Sequence, residues 1–185
     1  QIQHQQSDEK VVELKNFPNE PYKYDDLSVK KTRLTSGQKF NSLSVAEKTG
    51  GLAGNWIENL EFTFQNNWEK KITYLRFEFD FPETRIGRPM MVYQASFGVP
   101  PNAPEDVKRY RKPFSLATGE TYHFVLSEGE LNNIKKFLST ATFQLASLNK
   151  LSIRVADIFY EDGTRWSQDW YRPNPNFPGG YEKIK

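Results

Sequence analysis

The fold of this chain is decided by residues 60–81, which read LEFTFQNNWEKKITYLRFEFDF. Two runs in this stretch place an apolar residue at every second position: Leu60, Phe62 and Phe64, then Leu75, Phe77, Phe79 and Phe81. A period of two is typical of a β-strand that buries one face and exposes the other. Asn66 and Asn67 favour a turn between the runs, so we expect the two strands to form an antiparallel hairpin. Pro82 ends the second strand because it lacks an amide donor.

A further strand and turn are predicted near the end of the sequence. The LSIRV of residues 151–155 alternates in the same way, and ADIFY continues it to residue 160. Asp162 and Gly163 then provide the dipeptide typical of a two-residue type I′ turn, in which Glu161 would face Thr164. The acidic stretch YEDGTRW is therefore interpreted as a hairpin tip. Weaker strands are predicted at residues 10–16, 27–35, 90–98 and 121–127.

One α-helix is predicted over residues 128–139. Ser127 and Glu130 have the spacing of a capping box, in which each side chain bonds a backbone amide near the helix start. An apolar stripe follows at helical spacing, formed by Leu131, Ile134 and Leu138. Such a stripe would lie against a sheet.

The composition bounds the possible functions. At 185 residues the chain suits one large domain with its own core. It has no cysteine, which excludes disulfides and thiolate chemistry. The 25 basic and 23 acidic residues give a formal charge of +2, which provides no electrostatic reason to expect nucleic acid as a partner. No apolar run approaches the roughly 18 residues of a membrane-spanning helix, so no transmembrane segment is predicted.

These elements together predict the fold class and the domain organisation. Seven or eight strands with one short helix and long loops indicate an all-β fold, an antiparallel immunoglobulin-like β-sandwich. The long loops fall at residues 35–55 and 98–113. We expect a flexible leader at residues 1–9, a single β-sandwich domain at residues 10–170 and an extended proline- and glycine-rich tail at residues 171–185.

Two stretches resemble a known group of proteins. LEFTFQNNWEKKITYLRFEF and VADIFYEDGTRW are similar to hairpins of uncharacterised bacterial exported β-sandwich proteins of immunoglobulin-like or fibronectin type III-like fold. The resemblance implies an exported domain without known catalysis. The chain also begins at Gln1 within a polar run, as it would after removal of a secretory signal. We therefore expect a secreted, periplasmic or cell-surface protein.

Few residues are suited to catalysis or metal binding. His4 lies in the polar leader, and His123 is interpreted as a sheet residue because no matched nucleophile is near it in the sequence. The acidic residues considered as a calcium site are Asp157, Glu161, Asp162 and Asp169. They lack an alternating oxygen-ligand loop. The basic run KRYRK, residues 108–112, is interpreted as a solvated loop. We expect no enzyme activity, no catalytic residue, no metal and no cofactor.

Aromatic side chains are the candidate binding residues, since they make up 15% of the chain and cluster near its end. The candidates are Trp68, Trp166, Trp170, Tyr171, Phe177 and Tyr181. Exposed rings often anchor protein interfaces. We therefore expect a non-enzymatic interaction module that binds another protein or serves as an accessory or structural subunit of a larger assembly.

Three alternatives to protein binding stay open. In a carbohydrate-binding module, a glycan would stack on coplanar rings drawn from Trp68, Trp166, Trp170 and Tyr171. In a purely structural interpretation, Trp166 packs in the core opposite Phe159, while Trp170 and Phe177 hold the tail to the sandwich. A hydrolase would need two carboxylates that converge in a deep cleft, and a sequence cannot select such a pair.

Overall fold

The computed structural model describes residues 10–15, 17, 20–29, 32–33, 42–45, 55–87 and 89–184. Within this part of the chain there are two β-sheets and two α-helices, so the predicted all-β fold is confirmed. The strands are β1 (Lys10–Leu14), β2 (Tyr22–Val29), β3 (Thr32–Arg33), β4 (Ser42–Val45), β5 (Glu61–Asn66), β6 (Ile72–Phe81), β7 (Met91–Gly98), β8 (Thr121–Val125), β9 (Lys150–Tyr160), β10 (Arg165–Trp166), β11 (Trp170–Pro173) and β12 (Tyr181–Lys183). The helices are α1 (Glu105–Tyr110) and α2 (Glu128–Ser139).

The two sheets differ in size. The four-stranded sheet has the order β3-β2-β5-β8 and is antiparallel. In the eight-stranded sheet β6 lies between β7 and β9. The other side of β9 pairs with β1 in parallel and, further along, with β10 in the antiparallel direction. β4 lies beyond β1, and β11 and β12 lie beyond β10.

The inner faces of the sheets pack through aromatic rings. The Phe77 ring of β6 lies 5.2 Å from that of Phe62, 5.7 Å from that of Phe64 and 5.8 Å from that of Phe124, between centroids. All four side chains are fully buried. Burying one large apolar side chain contributes about 1.5–3 kcal/mol, and edge-to-face ring pairs add to this. The alternating apolar residues of β5 and β6 therefore form facing walls of one core.

The predicted hairpin of β5 and β6 is wrong, because the two strands lie in different sheets. Their connection instead crosses from one sheet to the other. Asn66 is fully buried there, and its Nδ2 donates to the carbonyl oxygens of Lys70 (2.9 Å) and Leu116 (3.0 Å). Its Oδ1 accepts a hydrogen bond from the Trp68 amide. Buried backbone groups need such partners. The asparagine that was interpreted as a turn residue thus fixes the crossing.

The hairpin tip at YEDGTRW is confirmed, but its predicted turn type is wrong. Gly163 has φ +81°, whereas Asp162 does not have the positive φ that a type I′ turn requires. The Gly163 amide donates to the Tyr160 carbonyl, and the Tyr160 amide donates to the Thr164 carbonyl. Thr164 therefore faces Tyr160 and not Glu161. This is a three-residue loop with glycine in the left-handed region.

Helix α2 begins and ends as predicted. The Ser127 Oγ accepts from the Glu130 amide, and the Glu130 carboxylate accepts from the Ser127 amide, which completes the capping box. The predicted stripe of Leu131, Ile134 and Leu138 is buried. The Phe137 ring contacts the Tyr93 ring of β7 at 6.0 Å between centroids. The helix therefore packs beside β7.

Other expectations are revised by the structure. The 98–113 loop contains α1, and the 35–55 loop contains β4, while residues 34–41 and 46–54 lie outside the described residues. The strand predicted at 27–35 corresponds to the end of β2 and to β3. Within the predicted tail, residues of β11 and β12 form an antiparallel pair. The 1–9 leader, including His4, lies outside the described residues.

Candidate functional site

One predicted binding residue, Trp166, belongs to the core. Its side chain is 1% exposed and packs edge-on against the ring of Tyr22 at 5.1 Å. In the β9–β10 ladder the register partner of Trp166 is Ile158, and that of Arg165 is Phe159. The expected pairing of Trp166 with Phe159 is therefore wrong. Trp166 therefore faces the opposite sheet and not solvent.

Trp68 and Trp170 pack against each other at one end of the fold. Their ring centroids are 4.3 Å apart, and Trp170 also stacks on Tyr160 at 5.7 Å. Both tryptophans are half-buried. The connection between β5 and β6 is thereby joined to β11. The two rings cover one another and do not form a coplanar exposed row.

Tyr171 and Tyr181 lie on the outer face of the eight-stranded sheet, around Arg165. The Arg165 guanidinium lies 5.4 Å from the centroid of Phe159, 6.0 Å from that of Tyr171 and 5.9 Å from that of Tyr181. Arg165 and Arg76 both bond the carboxylate of Asp157, which is buried. Cation–π contacts and a buried ion pair hold the β11–β12 hairpin onto the sheet.

Phe177 lies in the connection between β11 and β12 and is 68% exposed. It therefore does not hold the tail to the sheet as the structural interpretation expected. The connection is instead tied to the loop after β7, because Asn102 Nδ2 donates to the Gly179 carbonyl at 3.3 Å. Phe177 remains available to solvent.

The acidic residues near the hairpin tip each have a basic partner. Lys71 pairs with Glu161 at 3.0 Å, and Lys70 pairs with Asp162 at 2.7 Å. Partial burial alone would raise the pKa of Asp162, but hydrogen bonds from Lys70 and Thr164 outweigh it and lower that pKa below its usual value. Across the described residues, no group of three or more His, Cys, Asp or Glu side chains could hold a metal ion.

His123 lies in β8 with its side chain 57% exposed. Its Nε2 is 3.4 Å from a carboxylate oxygen of Glu61 on the neighbouring strand. This is a cross-strand contact of the kind that stabilises sheets. The environment matches the interpretation of His123 as a sheet residue.

A further candidate surface lies along β7, which sequence reasoning did not select. β7 has eight residues, MVYQASFG, none of them charged. One side of β7 pairs with β6, and no strand within the described residues pairs with its other side. Unpaired backbone groups along a strand edge can bond a further strand.

A small aromatic pocket lies where β7 meets β8. The rings of Phe97, Phe114 and Tyr122 surround it, with centroid distances of 4.9 Å (Phe97 to Tyr122), 5.4 Å (Phe114 to Tyr122) and 6.0 Å (Phe97 to Phe114). Its volume is about 300 Å³, and Arg111 and Lys112 complete its wall. Burial raises the pKa of the Tyr122 phenol, which therefore stays neutral.

Gly98 fixes the close approach of chain segments beside this pocket. Its φ is +84°, and a Cβ there would collide with the Thr73 carbonyl oxygen and lie 2.9 Å from Phe114 Cβ. Only glycine fits a position that is both left-handed and this crowded. A side chain at position 98 would therefore disturb the packing of Thr73 and Phe114 beside the pocket.

A basic segment, residues 108–112, borders the pocket. Lys108 pairs with Glu105 at 2.6 Å, whereas Arg109, Arg111 and Lys112 form no ion pair within the described part of the chain. Tyr110 is 88% exposed, and α1 buries none of its residues. The free side of β7, the aromatic pocket and this basic segment are together called the β7 surface.

The comparisons with known proteins found no match. No protein-family model matches the chain, and no curated protein and no solved structure matches it either. No helix among the described residues is long and apolar enough to cross a membrane. The resemblance to exported bacterial sandwich proteins and the expected export stay predictions.

Proposed function

We propose that this protein is a non-enzymatic, exported, immunoglobulin-like module that binds another protein through the β7 surface. The observation that carries the proposal is Tyr110, which is 88% exposed and lies between two arginines without ion-pair partners in the described chain. Tyrosine and arginine are enriched where interfaces derive their binding energy. An exposed ring and unpaired cations contribute little to folding, so a binding role explains them better.

The order of the strands supports the immunoglobulin-like assignment. From β5 the chain passes to β6 and β7 in the larger sheet, returns to β8 in the smaller one, and then forms β9 and β10 in the larger. Strands B, C, C′, E, F and G of immunoglobulin-like sandwiches alternate between sheets in this order. β2 lies beside β5, as strand A lies beside strand B. β1, β3, β4, β11 and β12 would be additions to that pattern.

The positions of the rings favour a protein partner over a glycan. A carbohydrate platform uses coplanar exposed rings, but Trp166 is buried and Trp68 lies against Trp170. Tyr171 lies on the outer sheet face beside Arg165. The β7 surface instead offers backbone groups, a pocket and cations together, which suits a polypeptide.

Site-directed photocrosslinking tests this proposal. A benzoylphenylalanine replaces Tyr110 in the full chain, and a matched protein carries it at Ile86, which is 70% exposed and lies in the loop between β6 and β7. Irradiation in cells that produce the protein should yield a discrete protein adduct from position 110 and none from position 86. Equal adducts from both positions, or none from position 110, would overturn the proposed function.

A further inference from the structure

Resting on that proposed function, we propose that the partner presents an extended acidic segment, which adds as a strand to the free side of β7. The acidic segment of the partner would then occupy the β7 surface. Strand addition of this kind draws affinity from main-chain hydrogen bonds and specificity from pockets for alternate side chains. The backbone, the pocket and the charge each support it.

The backbone of β7 has one side available. The Met91 amide donates to Thr84 Oγ1, and Thr84 follows β6, so this amide faces the β6 side. The Gly98 carbonyl accepts from Arg111 Nη1 at 3.4 Å and therefore faces away from β6. Amide groups on a strand change sides at every residue. It follows that Val92, Gln94 and Ser96 direct their N–H and C=O groups to the free side.

The sequence of β7 lacks the features that protect many edge strands, although Arg111 bonds Ser96 and Gly98 at one end of it. Natural sheets protect edges with short strands, charged residues, prolines or bulges. β7 is eight residues long, carries no charge and no proline, and pairs with β6 without a break in register. An edge of this kind is suited to accept a strand.

The aromatic pocket sets one requirement on the partner. An added strand would direct every second side chain toward the gap between the sheets, where Phe97, Phe114 and Tyr122 meet. The pocket volume of about 300 Å³ is at the lower end of the range for ligand sites. One large apolar side chain of the added strand would fit there.

Charge sets the other requirement. Arg109, Arg111 and Lys112 lack ion-pair partners in the described chain, and Arg111 bonds only the neutral Ser96 hydroxyl and Gly98 carbonyl. Acidic residues in the added strand would pair with these cations. A second copy of the chain would bring the same basic segment to the interface, so like charges disfavour pairing between two copies of β7.

Peptide selection tests the inference on the full chain. Random peptides of about twelve residues, long enough to pair with all of β7, are displayed on phage and selected on the immobilised protein. We expect enriched sequences with several Asp or Glu residues and at least one large apolar residue. Failure to enrich peptides, or enrichment of basic ones, would overturn the inference.

Two variants at one position then locate the binding. Gln94→Pro removes an amide donor on the free side of β7 and places a ring at the pairing edge, where edge strands tolerate proline. Gln94→Ala keeps the donor. We expect selected peptides to bind Gln94→Pro about tenfold more weakly or worse and Gln94→Ala within about twofold of the original chain. Equal binding to both variants would contradict strand addition.

Modified peptides provide a measurement that does not depend on the folding of a variant. Each backbone amide of a selected peptide is methylated in turn, and binding to the unaltered protein is measured. Strand pairing predicts loss of binding at every second position and retention at those between, because only alternate amides face β7. A series without this alternation would overturn the inference. Such a failure would leave the proposed function standing if the crosslink at position 110 still forms.

Discussion

Two of the outer strands of the eight-stranded sheet, β7 and β12, differ in the charge that they carry. β12 has three residues, and two of them are charged and paired: Glu182 with Arg172 at 2.6 Å, and Lys183 with Asp169. β7 has eight uncharged residues, and unpaired cations lie at its end. The charged residues of β12 form ion pairs within the chain, whereas Arg109, Arg111 and Lys112 near β7 form none within the described residues. The difference separates residues that stabilise the fold from residues that we expect to bind.

The side of the sheet that leads to β12 is stabilised by buried ion pairs and ring contacts. Asp157 is 3% exposed and is bonded by both Arg76 and Arg165, and Arg165 in turn contacts the rings of Phe159 and Tyr181. On the β7 side, α1 buries no residue. Substitutions should therefore affect stability on one side and binding on the other.

The largest effect is expected for Asp157→Ala. The substitution leaves two partly buried guanidinium groups without their carboxylate, and breaking a buried ion pair in this way costs about 3–5 kcal/mol. Urea unfolding measures the change. As a control on the same side, Glu182→Ala breaks an exposed pair and should cost less than about 1 kcal/mol. Similar losses for the two variants would show that the β12 side is not held as described.

Trp170→Ala should have the next largest effect. The substitution removes the ring that lies between Trp68 and Tyr160, and the loss of this half-buried contact should destabilise the protein by about 2 kcal/mol. The matched control is Phe177→Ala, which removes an exposed ring from the same hairpin and should change stability by less than about 0.5 kcal/mol. Thermal unfolding of both variants distinguishes them, and a neutral Trp170→Ala would refute the anchoring role.

Tyr110→Ala should weaken binding and leave stability almost unchanged. Unfolding free energy should change by less than about 0.5 kcal/mol, because the ring is exposed and α1 buries nothing. Binding of a selected acidic peptide should weaken by about tenfold, as expected for the loss of an interface anchor. As a control, Ile86→Ala removes another exposed apolar side chain that lies outside the β7 surface, and it should change neither stability nor peptide binding. Isothermal titration calorimetry measures the affinities, and unchanged peptide binding by Tyr110→Ala would contradict the assignment.

The smallest effect concerns pH and Asp162. Because the pKa of this carboxyl is lowered in the folded state, the pair with Lys70 stabilises the fold above the usual Asp range. That contribution is lost as the pH falls through the lowered pKa. The pair is partly exposed, so it is worth less than about 1 kcal/mol. The free energy of unfolding of Asp162→Asn, measured by urea unfolding, should be slightly lower than that of the original chain at about pH 7 and equal to it at about pH 2. An equal difference at both pH values would exclude this ion pair as the cause.

Local patterns in the sequence predicted single elements well. The alternation from Leu151 to Val155 predicted β9, and the Ser127–Glu130 capping box predicted the start of α2. Both follow from interactions within a few residues of chain. The hairpin of β5 and β6 failed because alternation indicates which face is buried and not which strand lies beside it. Facing strands and paired strands have the same pattern.

The candidate surface was less predictable for a related reason. Residues 90–98 were predicted as a strand, but only the sheet order makes β7 an outer strand with a free side. The aromatic residues were visible as a group, whereas their burial depends on distant partners. Tyr22 covers Trp166, while nothing in the short helix α1 covers Tyr110. Single-sequence patterns carry no information on such long-range contacts.

The most direct test of the account is residue-resolved amide hydrogen exchange of β7, measured by NMR with and without a selected acidic peptide. In the free protein, the amides of Val92, Gln94 and Ser96 should exchange faster than those of Tyr93, Ala95 and Phe97, which face β6. The peptide should slow exchange at the first three positions and leave the amides of β12 unchanged. Protection that appears at β12, or fails to appear at Val92, Gln94 and Ser96, would contradict the claim that the free side of β7 is the binding edge.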